Sequence, residues 1–239
     1  MKKYSLMLMM VSLGLIIFNS CEKDSEWDYP IKPGTKEWEL LENHQAMVDV
    51  CQIPEHILKK INTNDLCALC LRYPLLYDVL VSDNYKDGLN KFFSDFNGIR
   101  ELSKREENLV CLQKKYLTEI RSFKIKLDTG SDLDIGDLIM KISVAELLLG
   151  YSDFHKSAMK ENQKKTLETL LSGYVEKKSI PESFQGTGFT TNLFARAHII
   201  IMIDSALTEI FDGSTVLFSG RADKDLINTI DSLSYKLIK

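Results

Sequence analysis

Cys67-Ala68-Leu69-Cys70 is the stretch of this chain that most invites a chemical reading. Two cysteines at this spacing serve redox exchange when a strand precedes them and a helix N-terminus lowers the first thiol's pKa. They serve zinc when two further ligands complete a tetrahedron. Neither context is met. The residues ahead of Cys67 read as a helix start, and the chain has no second CxxC and no HxxxH pair. Leu66, Cys70 and Tyr73 fall on one helical face, so Cys67 and Cys70 are expected as small apolar core residues. Cys51 and Cys111 complete a set of four beyond residue 21. Four cysteines admit three full pairings, sequence does not choose among them, and at most one bridge is expected.

The other candidates fail on register. In "DTGSDLDIGD", residues 128–137, a calcium loop opened at Asp132 would place Asp137 at the required glycine and Ser143 at the required glutamate. Opened at Asp128, it would place Gly130 at a ligand position and Leu133 at the glycine. These aspartates are expected to cap a helix and meet its dipole instead. "FQGTGFTTN", residues 184–192, has Gly186 and Gly188 ahead of a helix but lacks the third glycine and the preceding strand of a dinucleotide site. A turn capped by Thr190 or Thr191 is expected there. No GK[ST] loop and no GxSxG elbow occurs. The histidines are His44, His56, His155 and His198, with no pair at helical i, i+4 spacing. His198, near Arg196 in an apolar helix, is expected to be the buried one. It marks where the alternative to a binding protein, a hydrolase assembled from scattered residues, would form. No catalytic, cofactor or metal residue is assigned.

The elements that position these residues are helices. Thr35 is placed to cap a helix with apolar positions Trp38, Leu41, Val48 and Cys51. Pro54 suits the start of a short segment through Leu58. Asn62 and Asp65 open a helix that ends before Pro74. Asp83 precedes Leu89, Phe92, Phe93 and Phe96, with Gly98 as C-terminal cap. Ser103 to Glu106 matches a capping box. Behind it Leu109, Leu112, Tyr116, Ile120, Phe123 and Leu127 recur at helical spacing over about 33 Å. Further helices are predicted over 133–149, 161–178, 192–211 and 222–238. "STVLF", residues 214–218, is the one strand-like run, short and solitary. The fold class is all-α, an irregular multi-helix bundle. Its short early helices permit solenoid-like stacking, although no pattern recurs at a fixed period. "LFARAHIIIMIDSAL", residues 193–207, is apolar nearly all round and is expected to pass through the middle.

The N-terminus carries the address. Lys2 and Lys3 precede an apolar run from Leu6 to Phe18, shorter than the roughly 20 residues a spanning helix needs. "FNSC" then resembles a bacterial lipoprotein box, with Phe18 and Asn19 departing from the usual Leu and small residue, a relaxed form seen among Bacteroidota lipoproteins. The resemblance implies cleavage before Cys21 and lipid attachment at Cys21. Several acyl chains there would anchor the protein stably, since each buried CH₂ contributes about 0.8 kcal/mol. Residues 1–20 are thus a signal peptide and 21–35 a polar tether interrupted by Pro30, Pro33 and Gly34. Residues 36–239 form a single helical domain. The acidic "EKDSE" resembles an export signal to the outer face of the outer membrane, so surface or periplasmic exposure are both open.

The run from Trp38 to Pro74 resembles a group of secreted Bacteroidota proteins that share a Trp, a "CQIP" segment, a Thr before a Leu-rich helix, and a later "FN" with "REL". The matching residues are Trp38, Cys51 to Pro54, Thr63, Leu66, Pro74, Phe96, Asn97 and Arg100 to Leu102. The resemblance implies a helical extracytoplasmic protein and brings no activity. The 30 basic and 34 acidic residues give a net charge of −4, or −6 once Lys2 and Lys3 leave with the signal peptide. Without a basic stripe, nucleic acid is not an expected partner. The expected role is a cell-envelope lipoprotein acting as a non-catalytic binding or accessory module for a protein or ligand.

Overall fold

The computed structural model describes residues 27–156, 158–179 and 187–239, less the side chains of residues 128, 187 and 188. The stretch expected as a signal peptide, Cys21 and the first part of "FQGTGFTTN" lie outside the described residues. All regular structure among the described residues is helical, and the run read as a possible strand is the short helix Val216–Ser219.

Four long helices carry the architecture: α7 (Asn108–Thr129), α8 (Asp132–Gly150), α9 (Lys160–Lys178) and α10 (Thr187–Ile203). Helix α7 packs on α8, α8 on α10, α10 on α9, and α9 back on α7, so the four close into a ring. A solenoid would stack each element only on its chain neighbours, and this ring does not. Helix α10 is apolar nearly all round because it is enclosed: Leu193, Phe194, Ala195, Ala197, Ile199 and Ile200 are all buried. The α7–α8 hairpin is tight. Gly130 ends α7, and Ser131 opens α8 with a reciprocal capping box to Asp134.

Shorter elements surround the bundle. On the N-terminal side lie α1 (Lys36–Glu39), α2 (His44–Val50), α3 (Glu55–Leu58), α4 (Thr63–Cys70), a 3₁₀ turn (Leu76–Leu80), α5 (Tyr85–Asp95) and α6 (Asn97–Leu102). Helix α4 packs on α6 and α7, and the 3₁₀ turn packs on α5 and α8. On the C-terminal side a 3₁₀ turn (Ser205–Phe211), α11 (Val216–Ser219) and α12 (Lys224–Leu237) pack against α10. No helix among the described residues is long and apolar enough to cross a membrane.

Several expectations shift at helix ends. The helix capped by Thr35 stops at Glu39, and Asn43 caps a second one by accepting from the Ala46 amide at 2.9 Å. Asn84, not Asp83, caps α5. Gly98 lies inside α6 rather than ending α5, because Asn97 is held by Ile53 and Gln52 in a long-range turn lock. Ser103 closes α6 instead of opening α7: its hydroxyl donates back to Arg100 O at 3.0 Å. Helix α10 begins at Thr187, which leaves Thr190 and Thr191 inside it rather than capping it, and it breaks at Asp204.

The folded body also begins earlier than position 36. Tyr29 is buried, its hydroxyl donates to Leu69 O at 2.9 Å, and its ring meets Trp27 and Tyr73 edge-on. Within the stretch expected as solvated tether, Tyr29 is therefore docked on α4, with Trp27 against its ring.

Candidate functional site

Two polar assemblies stand out, one sealed and one open. The sealed one lies on the bundle axis. Glu146 of α8 has no exposed surface. Its Oε1 accepts from Tyr116 of α7 at 2.7 Å, from Lys177 of α9 at 2.5 Å and from Asn192 of α10 at 2.8 Å. Its Oε2 accepts from Thr191 at 2.7 Å. One carboxylate thus ties all four long helices together. Gly173 makes this possible, since a Cβ there would sit 1.8 Å from the Tyr116 hydroxyl.

Arg196, equally buried, extends the network outward. Its Nε donates to Asn192 at 2.8 Å and its Nη1 to Asp231 of α12 at 2.8 Å, while its guanidinium lies 4.3 Å from the Tyr174 ring centre. Burial lowers the Lys177 pKa, against the opposing pull of Glu146. Charges in such a place survive when paired and hydrogen-bonded: Glu146 pairs with Lys177 and Asp231 with Arg196, whose Nη2 alone has no partner among the described residues. None of its side chains lines the open cleft described next. Its role is to hold the bundle in register.

The open assembly is a cleft of about 250 Å³ between α4, α7 and α8. Asp65, Ala68, Leu71 and Arg72 line it from the α4 side, Lys115 and Glu119 from α7, and Lys141 and Ala145 from α8. The helical period explains the lining. Lys115 and Glu119 are one turn apart, as are Lys141 and Ala145, so each pair shares a face. Ala145 and Lys115 are the chain neighbours of Glu146 and Tyr116, so the buried network holds the far side of the same two helices. Lys141 already pairs with Asp137 at 2.7 Å, and Asp137 also accepts from Tyr77. Arg72, Lys115 and Glu119 form no ion pair among the described residues, which leaves charges of both signs facing the cleft.

The residues singled out in sequence take other places. Cys67 and Cys70 are fully buried in α4, in the expected core positions. Ser131 and Asp134 cap α8, and Asp137 pairs with Lys141, so the acidic run is spent on the helix. His198 and Arg196 do not share a site. Two residues apart on α10 they point to opposite sides: His198 Nε2 bonds Leu217 O at 2.9 Å and its ring packs on Phe194, while Arg196 faces Asp231.

His155, not His198, is the most buried histidine. Its Nε2 meets Leu149 O at 2.7 Å, so Nε2 carries the proton, and Nδ1 is buried without a partner. Burial lowers the pKa of both His155 and His198 below the ordinary value, so the fold favours their neutral forms. Stability is then complete above about pH 6.5 and is lost as pH falls below it. Thermal melts should be flat from about pH 7 to 8 and fall toward pH 5, and His155→Gln should flatten that slope. An unchanged slope in the variant would show that His155 does not drive it.

The network residues were less legible than the cysteines. The sequence singles out Arg196, beside His198, but not Glu146, in "SVAELLLG". A lone carboxylate inside an apolar helix is the available signal, since it must find a partner if buried. No family model, curated protein or solved structure matches the chain.

Proposed function

We propose that this protein is a lipid-anchored, non-catalytic binding module of the cell envelope, attached through Cys21, with the α4–α7–α8 cleft as its binding face. The observation that carries the reading is the cleft itself: Arg72 and Lys115 beside Asp65 and Glu119, presented by helices braced from behind by the Glu146 network. Its volume suits a small ligand, and the two signs of charge suit a zwitterion of the amino-acid or short-peptide class. A ligand carboxylate would meet Arg72 and Lys115, and an ammonium would meet Asp65 and Glu119.

The test is calorimetric titration of the full chain in detergent with a panel of free amino acids and dipeptides. Binding should appear for part of the panel and weaken about tenfold or more in Arg72→Ala and Lys115→Ala. Silence across the panel, or binding indifferent to both substitutions, would overturn the ligand. The anchor is checked separately: Cys21→Ala should move the protein out of the membrane fraction, and protease added to intact cells should reveal which face it occupies.

A further inference from the structure

We propose that Cys67 and Cys111 form a reversible disulfide that locks α4 onto α7. The four cysteines of the body, Cys51, Cys67, Cys70 and Cys111, are all buried thiols, so the structure is that of the reduced form. Cys111 Sγ lies 3.8 Å from Thr63 O. In an α-helix that carbonyl points at the amide of residue 67, so the contact sets the Cys111 sulfur beside the turn that carries Cys67. Each thiol also perturbs the other's ionisation, as two facing side chains do. Helices α4 and α7 already pack together, so closing the bond requires only a small approach of the two side chains.

The competing pairs are worse placed. Cys67 and Cys70 lie three residues apart within α4, where Cβ atoms stand about 5–6 Å apart, beyond the roughly 3.5–4.5 Å of a disulfide. Cys70 lies near enough to Cys111 to feel its charge and is the pairing that the experiment must separate from Cys67. Cys51 sits apart, beside Tyr29 and Tyr73, and burial pushes its thiol up to about 11.

Either thiol can open the exchange. Its thiolate displaces one thiolate from an incoming disulfide RSSR, forming a mixed disulfide. The other cysteine then gives up its proton and attacks the protein sulfur of that mixed disulfide, expelling the second thiolate. In balance, two protein thiols and RSSR yield one protein disulfide and two RSH. Both cysteines are buried, so exchange takes place during folding or when the short α4 lifts. This proposal is independent of the ligand assigned to the cleft, although the bridge would fix one wall of that cleft to another.

The experiment treats the full chain with oxidised glutathione, both folded and during refolding, then denatures it in iodoacetamide and digests it with trypsin. A linked species joining Ile61–Arg72 to Glu106–Lys114 is expected, with fragmentation placing the bond at Cys67. The link should persist in Cys70→Ala, vanish in Cys67→Ala, and raise Tm by roughly 5–10 °C until dithiothreitol reverses it. Recovery of both peptides fully alkylated under both regimes would overturn the proposal. So would a fragmentation pattern placing the bond at Cys70, a measurement on the unmutated chain that no folding defect can confuse.

Discussion

Glu146→Leu will destabilise the protein by about 3–5 kcal/mol, the usual consequence of removing one partner from a buried ion pair. Four donors on three helices converge on this carboxylate, and its loss removes their shared acceptor in a site with no solvent. Lys177 suffers most, because its ammonium is fully buried and Arg196 adds a second positive charge nearby. Glu146→Gln keeps the shape but not the charge and should cost about half as much. The informative variant is the pair Glu146→Leu with Lys177→Met. Replacing both charges with apolar groups of similar volume should recover most of the loss, since desolvating the pair offsets much of its attraction. Urea denaturation measures all three: the midpoints should fall while the m-values hold. A loss below about 1 kcal/mol for Glu146→Leu would mean that the carboxylate does not organise the bundle.

Gly220→Ala is expected to be nearly as damaging, for a steric reason. Gly220 ends α11 in the left-handed region at φ 68°, and its amide bonds Val216 O. A Cβ there would stand 1.7 Å from the Thr190 carbonyl oxygen of α10. Left-handed backbone costs a non-glycine residue about 1 kcal/mol or more, and the clash is with main chain that no rotamer change can relieve. Together they should cost about 3–5 kcal/mol and lift α11 from α10. Gly213 is the matched control. It has φ 71° but open space around its Cβ position, so Gly213→Ala should cost only about 1 kcal/mol. Equal effects at the two positions would show that backbone strain, not the approach of α11 to α10, sets the cost.

The contrast between what was legible and what was not follows the range of the forces involved. The long helices could be read from periodicity because each needs only its own apolar face. Local caps were read well when the donor and acceptor were close in sequence, as at Asn62, whose side chain accepts from the Asp65 amide at 2.9 Å. They were misread where a distant partner intervened. Ser103 had the spacing of an N-cap, yet α6 claimed it, because Asn97 is locked to the Gln52–Ile53 segment and sets where α6 begins. Tyr29 looked like part of a polar tether, since nothing nearby in sequence announces the Leu69 carbonyl that receives its hydroxyl.

By itself, then, the sequence determined the all-helical class, the extent of α8 and α9, and the burial of Cys67 and Cys70, because hydrophobic periodicity is a property of each segment alone. Only the tertiary structure decided that Glu146, Tyr116, Lys177 and Asn192 meet on one axis, that Cys111 stands against the first turn of α4 at Thr63, and that charges of both signs face one cleft. The partners of Glu146 are 30 to 46 residues away from it, and the rest lie on helices whose mutual rotation no local pattern encodes. Packing chooses that rotation, and the chemistry available to the protein is chosen with it.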